Sequence, residues 1–329
     1  MTALLLLSGT TDAVRRRLDE HFTVHDGASG KDLSGKEGAG DVDAVLAEHG
    51  EAIEAVFTDG HLGVPDRIVE RLPNLKIASS YGVGYDNIDA DGLAARGVVV
   101  THTPDVLNDE VANTAVALLL ATTRRIVLYD RYVREGRWEK EGAPPLTRGL
   151  SAKTVGMVGF GRIGQTIADK LAVFGCEVVY HARSSKNVAQ RYYSDLVEMA
   201  RDSDVLIVIT PGGAETKHLV SRAVIDALGP EGTLVNVARG TVVDERALVE
   251  ALEGGRLGAA GLDVFEEEPV VPDALRKMDQ VVLLPHVGSA TVETRAAMGD
   301  LAVDNLVDFF EHGTVRTPVP ECAQIARRS

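Results

Sequence analysis

Thr154-Val-Gly-Met-Val-Gly-Phe-Gly-Arg-Ile-Gly164 decides the fold. Its apolar run, Val155 to Val158, predicts a buried strand, and Ile163, Ile167, Leu171 and Phe174 recur at the spacing of one helix face. Between them stands Gly159-Phe-Gly161-Arg-Ile-Gly164, a G-x-G-x-x-G in the strand, turn and helix setting that gives so short a motif its meaning. Gly159 serves the tight turn, Gly161 the approach of a pyrophosphate to the backbone, and Gly164 the close packing of helix on strand. Free N–H groups and the positive end of the helix dipole, beginning at Arg162 and Ile163, favour a phosphate at that point. The expectation is a dinucleotide site on a doubly wound α/β domain.

The second strand, Glu177-Val-Val-Tyr180, leads into His181-Ala182-Arg183-Ser184-Ser185. A site selective for NAD places Asp or Glu near the end of that strand, where it bonds the ribose 2′-hydroxyl. Here that place falls at Ala182, and Arg183 with two hydroxyls behind it can pair with a 2′-phosphate instead. Without a carboxylate to repel the phosphate, the sequence predicts NADP(H) as the preferred cofactor, with NAD possible. The plainer alternative is a solvated Arg183 that lies on the adenine ring.

A chain of 329 residues is long enough for two domains, and 45% hydrophobic with 25% charged residues is ordinary for a globular protein. Acidic residues outnumber basic ones 49 to 34, a net charge of −15 that argues against nucleic acid and anionic membrane as partners. A local arginine still suffices for a small anion, because a diffuse field is screened over a short distance. Met1 to Gly9 has no basic lead, and its apolar run is too short for a signal peptide or a membrane span, so it reads as a first buried strand. Cys176 and Cys322 lack metal spacing. No metal site is expected, and the pattern suits a reduced, cytoplasmic protein.

Residues 1–100 alternate strand and helix. Strands are expected at Ala3–Leu7, Phe22–Val24, Ala55–Thr58, Lys76–Ser80 and Val98–Thr101, with helices at Asp12–Glu20, Val42–His49, Asp66–Arg71 and Asp91–Arg96. This is the pattern of a small parallel-sheet domain. Residues 27–40 read as a mobile surface loop. Asn108-Asp109 can cap a helix over Glu110–Thr122, and the stretch from Arg134 through Trp138 to Pro145 reads as an irregular crossing. In the glycine-loop domain, residues 101–287, further strands are expected at Val205–Ile209, Thr233–Val237, Gly258–Leu262 and Val281–Leu284, and helices at Asp195–Ala200, Ser221–Ala227 and Asp244–Glu253. Thr291 can cap a long amphipathic helix to Phe310 that returns, over residues 288–329, to the first domain, and Thr317 onward reads as a surface tail. A Rossmann-type cofactor domain inserted into a smaller flavodoxin-like domain results, with a cleft between domains as the natural place for a ligand.

Three stretches follow apolar strands of the glycine-loop domain: Asn236-Val-Ala-Arg239-Gly240, Asp263-Val-Phe-Glu-Glu-Glu268-Pro269 and Pro285-His286-Val-Gly288. They bring one cation, one carboxylate and one imidazole to the carboxyl edge of one sheet, where open α/β sheets bind ligands. Each has a bland reading alone (a surface cation, a solvated acidic run, a loop histidine bonded to backbone), and their convergence is what favours Arg239, Glu268 and His286 as a catalytic set.

With those stretches, Tyr81-Gly-Val-Gly-Tyr-Asp-Asn-Ile-Asp89 and the glycine loop, nearly the whole chain resembles the D-isomer-specific 2-hydroxyacid dehydrogenase family, and within it the glyoxylate/hydroxypyruvate reductase branch. The resemblance implies reduction of a small 2-oxo acid to its D-2-hydroxy acid. His286 would donate the proton, a task suited to a side chain that ordinarily titrates near pH ~6.5. Glu268 would hold its other ring nitrogen and favour the imidazolium. Arg239 would grip the substrate carboxylate, and the N–H groups of Val83 and Gly84 would take its second oxygen. Tyr81, Leu62 and Trp138 would shape the pocket, Trp138 from a partner subunit or as an interdomain packing residue. Cofactor contacts would extend over Thr114, Gly159, Gly161, Arg162, Ile163, Gly164, Arg183, Ser184, Ser185, Thr210, Pro211, Thr216, Val237, Ala238, Arg239, Asp263, His286 and Gly288, with Asp263 anchoring the nicotinamide carboxamide. A homodimer is implied by the helix at Glu110–Thr122. Hydroxyphenylpyruvate, D-lactate or phosphoglycerate remain alternative substrates, and a dinucleotide-sensing, co-repressor-like binding protein is the alternative outside catalysis.

Overall fold

Buried apolar runs become two parallel sheets in the computed structural model of the chain, which describes residues 1–31 and 37–327. The first unit comprises Met1–Leu107 and Ala290–Ser329, the second Asn108–Ser289. In the first, the elements run β1 (Thr2–Leu6), α1 (Asp12–His21), β2 (Phe22–Asp26), β3 (Ser29–Lys31), β4 (Glu37–Ala39), α2 (Val42–His49), β5 (Ile53–Thr58), α3 (Asp66–Val69), β6 (Ile77–Ser80), α4 (Ala90–Ala95) and β7 (Val99–Thr101). The five-stranded sheet has the order β2-β1-β5-β6-β7, which is the 2-1-3-4-5 winding of flavodoxin-like folds. Leu4, Leu5, Ile53, Val56, Ile77 and Val100 are fully buried, as a parallel sheet covered on both faces requires.

The second unit continues with α5 (Asn108–Thr123), α6 (Ile126–Arg134), α7 (Arg137–Glu141), β8 (Thr154–Val158), α8 (Arg162–Ala172), β9 (Glu177–His181), β10 (Arg191–Tyr192), α9 (Leu196–Arg201), β11 (Val205–Val208), α10 (Arg222–Leu228), β12 (Thr233–Asn236), α11 (Glu245–Glu253), β13 (Ala259–Leu262), α12 (Asp273–Lys277) and β14 (Val281–Leu283). Its sheet order, β10-β9-β8-β11-β12-β13-β14, is the Rossmann 3-2-1-4-5-6 with a seventh strand added. The winding reverses between β8 and β11, which pair in parallel from Val155↔Val205 to Val158↔Val208.

The last helix, α13 (Val292–His312), belongs to the first unit. The Thr291 hydroxyl accepts the Thr294 N–H at 3.1 Å to start it, and Gly313 at φ 65° ends it. Ala302, Val303 and Leu306 are fully buried. Arg17 on α1 reaches Asp300 and Asp304 at 2.7 Å each, but pairs this exposed contribute at most about 1 kcal/mol each, so the apolar face is what docks the helix.

Several expectations change. The span 27–40, expected as a loop, carries the antiparallel pair β3–β4, which needs no crossover connection; its residues 32–36 lie outside the described residues. The stretch 134–145 is not irregular: it holds the end of α6 and all of α7. Those helices start after residues in the left-handed region, Arg125 and Gly136, with no side-chain cap, so no capping residue announces them. α5 starts at Asn108 itself, and the short β10 and α12 were not anticipated. Residues from Thr317 on are not a loose tail. β7 is a sheet edge with open hydrogen-bonding groups, and this segment covers it. Pro318 bridges Thr101, the Val319 N–H bonds the Val100 carbonyl at 3.0 Å, and Val319 and Cys322 are fully buried. A boundary at residue 100 would cut β7; the first unit instead runs to Leu107, helped by the Thr103 N–H on the Gly82 carbonyl at 2.9 Å. Among the described residues no single helix is long and apolar enough to cross a membrane.

Candidate active site

The glycine turn sits where the second unit's winding reverses. Gly159 has φ 98°, and a Cβ there would lie 2.5 Å from the Ile209 carbonyl oxygen. A Cβ on Gly164 would lie 2.8 Å from the Gly159 oxygen, whereas one on Gly161 would meet nothing within 4 Å. Packing thus requires the outer two glycines, while the middle one faces open space. α8 begins behind it at Gly161 with no side-chain cap, the kind of helix start that can receive a phosphate. This cradle fits a dinucleotide pyrophosphate. Arg162 is exposed and Ile163 half-buried at its lip. Across the reversal, Thr210 and Pro211 follow β11, and the Thr216 hydroxyl closes that loop on the Pro211 carbonyl at 2.8 Å.

At the end of β9 the Tyr180 ring stacks on Phe160 at 4.5 Å, and its hydroxyl accepts the Lys186 N–H at 2.7 Å. That bond folds the turn over and leaves Arg183, Ser184 and Ser185 exposed on the same carboxyl edge, with Ala182 half-buried.

The loops after β12, β13 and β14 are neighbours because those strands are. Asn236 shapes the first: its side chain accepts the Ala238 N–H and donates to the Arg239 carbonyl, both at 3.0 Å. Val237 and Ala238 are buried, and Arg239 is half-buried with Nη1 on the Ala238 carbonyl at 2.8 Å. A Cβ on Gly240 would overlap the Phe265 carbonyl, so the arginine loop lies directly on the acidic one. Glu268 is held at both oxygens: Oε1 accepts the Phe265 N–H at 2.9 Å and Oε2 faces His286 Nδ1 at 2.8 Å. A carboxylate only accepts, so Nδ1 carries the hydrogen.

His286 adopts the left-handed region, φ 54°, a costly conformation for a side chain of this size. Asp263, almost fully buried, compensates. Its carbonyl accepts the His286 N–H at 2.7 Å, and its carboxylate oxygens accept those of Val287 at 2.7 Å and Gly288 at 2.8 Å. Burial pushes the Asp263 carboxyl above the usual carboxylate range, against the pull of those N–H groups and the charge of His286. The Gly288 carbonyl accepts the Thr114 hydroxyl at 3.2 Å.

Three supporting residues escaped the sequence reading. His218 Nε2 meets Glu266 at 2.9 Å, and Glu245 accepts the Glu266 N–H at 3.2 Å, so the acidic run is tied down from two sides. Burial, with the charges of Glu266, Glu267 and Glu268, pushes the Glu245 carboxyl up. Partners this far apart in sequence leave no local pattern; Asn236, inside a quoted motif, could have been found as a residue that bonds its own backbone.

In the first unit, Val83 and Gly84 lie half-buried after β6, and Leu62 is exposed after β5. Tyr81 is 3% exposed, and its hydroxyl donates to the Arg295 carbonyl at 2.7 Å, holding α13. Trp138 on α7 is 61% exposed.

Residues 116–288 match the family described as D-isomer specific 2-hydroxyacid dehydrogenase, NAD binding domain. The chain is 48% identical over 276 residues to glyoxylate/hydroxypyruvate reductase A of Arabidopsis thaliana, covering 84% of this chain and 88% of that one. It is 50% identical over 275 residues to hydroxyphenylpyruvate reductase of Plectranthus scutellarioides, covering 83% and 88%. Among solved structures, the NADPH-dependent glyoxylate/hydroxypyruvate reductase of Sinorhizobium meliloti, in complex with NADP and malonate, is 44% identical and superposes with a TM-score of 0.89 over 97% of both chains.

Proposed function

Because the chain belongs to the D-isomer specific 2-hydroxyacid dehydrogenase family, we propose that it is a reductase of glyoxylate and hydroxypyruvate that prefers NADPH. The observation that carries this reading is the 2.8 Å contact of His286 with Glu268, built on the same sheet edge as Arg239 and the glycine turn.

Reduction of a 2-oxo acid requires a hydride at carbon and a proton at oxygen, and NADPH supplies the hydride when bound. His286 gives the proton from Nε2, while Glu268 holds Nδ1–H and stabilises the ring's charge. Arg239 binds the substrate carboxylate through two parallel N–H groups and polarises the adjacent carbonyl. The N–H groups of Val83 and Gly84 take the carboxylate's other oxygen. The Gly159–Gly164 turn and the start of α8 hold the pyrophosphate, and Thr114, Thr210, Pro211, Thr216, Val237, Ala238 and Gly288 border the cofactor. Asp263 fixes the histidine loop and carries the carboxamide contact.

Arg183, with Ser184 and Ser185, is assigned to the 2′-phosphate. The test is kcat/KM over a panel of 2-oxo acids with each cofactor. NADPH with glyoxylate or hydroxypyruvate should lead, and Arg183→Ala should lower kcat/KM for NADPH by about ten- to a hundredfold while leaving NADH nearly unchanged. A wild-type preference for NADH overturns the cofactor assignment. Hydroxyphenylpyruvate is the second substrate to weigh, given the name of the relative at 50% identity; it takes first place if it outruns both small acids.

Ile126, Val127, Val133, Trp138 and Leu146 expose a run of large apolar side chains over α6, α7 and the following loop. We assign this surface to a homodimer in which Trp138 enters the partner's site. Sedimentation should give about twice the 35.1 kDa chain mass, and Trp138→Ala on one subunit of a mixed dimer should impair one site. A monomer at assay concentration excludes this arrangement. The cysteines are unpaired, in keeping with the reducing, cytoplasmic setting proposed for the enzyme.

A further inference from the structure

The loop at Gly82-Val83-Gly84 is fixed from behind, and the direction of its N–H groups follows from how. In a trans peptide the C=O of one residue and the N–H of the next point opposite ways in one plane. The Gly82 carbonyl accepts the Thr103 N–H at 2.9 Å, which sets the plane that carries the Val83 N–H. The Val83 carbonyl meets His102 Nδ1 at 2.9 Å, which sets the plane that carries the Gly84 N–H. A carbonyl only accepts, so Nδ1 carries the hydrogen in this contact.

His102 is itself gripped by the C-terminal segment. Its N–H donates to the Thr317 carbonyl at 3.2 Å, and its carbonyl accepts the Thr317 hydroxyl at 2.6 Å. Thr317 is held in turn by Asn305, fully buried on α13, whose amide donates to the threonine hydroxyl at 2.8 Å and accepts the threonine N–H at 2.9 Å. Further along the same segment, Glu321 accepts the Tyr85 hydroxyl at 3.2 Å, and the Tyr85 ring stands edge-on to His102 at 5.4 Å.

We propose that His102 is a positioning residue for the substrate carboxylate: its ring pins the Val83–Gly84 peptide so that the Gly84 N–H is aimed at the carboxylate, and the Asn305–Thr317 pair pins His102. A donor on the carbonyl also polarises the peptide and strengthens that N–H. This rests on the assignment of the Val83 and Gly84 N–H groups to the substrate carboxylate made above.

The test compares His102→Leu, which keeps bulk and removes the donor, with His102→Asn, whose amide can place an N–H near the Nδ1 position. In His102→Leu, KM for glyoxylate should rise about five- to tenfold with kcat and the NADPH Kd (from fluorescence titration) nearly unchanged. His102→Asn should recover most of that loss, and Thr317→Val should give a smaller rise of the same kind. The proposal is overturned if the Leu variant keeps its KM, if Asn does no better than Leu, or if kcat and NADPH affinity fall together with the melting temperature. Failure of the underlying activity looks different: the wild-type chain then turns over no 2-oxo acid.

Discussion

His286→Ala lowers kcat for glyoxylate reduction by about 10²- to 10⁴-fold, with KM and the NADPH Kd close to wild type. The size follows from what is lost. A 2-oxo acid accepts a hydride readily only as its oxygen gains a proton, and without a placed donor that proton must come from water. The geometry also separates this loss from a folding defect. The backbone of residues 286–288 is held through Asp263, by the His286 N–H on its carbonyl and the next two N–H groups on its carboxylate, so the loop keeps its anchor when the ring is removed. Glu268→Gln should cost less, because an amide still holds the ring through its oxygen but does not stabilise its charge. Stopped-flow traces under single-turnover conditions check the assignment, and an unchanged rate of hydride transfer in His286→Ala removes the histidine from the chemistry.

Arg239→Lys raises KM for the 2-oxo acid and lowers kcat/KM by about 10²- to 10³-fold, although the positive charge is kept. Arginine offers two parallel N–H groups to a carboxylate, and lysine offers one compact ammonium from a shorter reach. The position tolerates little adjustment, since Asn236 fixes the loop and Gly240 is in direct contact with the Phe265 carbonyl. The backbone therefore cannot follow a shorter side chain. Because the proposed NADPH contacts lie mainly on the glycine turn, the start of α8 and Arg183, its Kd should move much less than the substrate KM. Equal losses for cofactor and substrate would instead identify Arg239 as a residue of the cofactor site.

The glycine loop was readable from sequence because its requirements are local. Gly159 and Gly164 are demanded by atoms of the same turn and the adjoining strand, and the residues of β8 and β11 have no polar face to confuse the pattern. Arg239, Glu268 and His286 were readable as strand-end residues, but the order β12, β13, β14 side by side, which sets their loops next to one another and Glu268 against His286, is encoded in no local spacing. Their place on one carboxyl edge followed from the three strand ends, and the resemblance to a family added the role of each. What escaped is non-local or uncapped. His218 and Glu266 are far apart in sequence, and α6 and α7 begin without side-chain caps. The end of the chain looked like a tail because Pro318 and Pro320 punctuate it, whereas in the fold its value lies in closing the bare edge of β7.

The bond from Thr114 to the Gly288 carbonyl, and the Val111 methyls that flank Gly288, stitch together the two ends of the inserted unit. A host sheet interrupted by so long an excursion would ordinarily bear the entropy of bringing distant chain ends together before β1–β7 could meet α13. Here the guest closes its own circuit, since its first helix and its final loop meet inside the guest itself. To the host, the whole of residues 108–289 then behaves as a short connection, and its parallel sheet can assemble as if the sequence ran almost directly from Leu107 to Ala290.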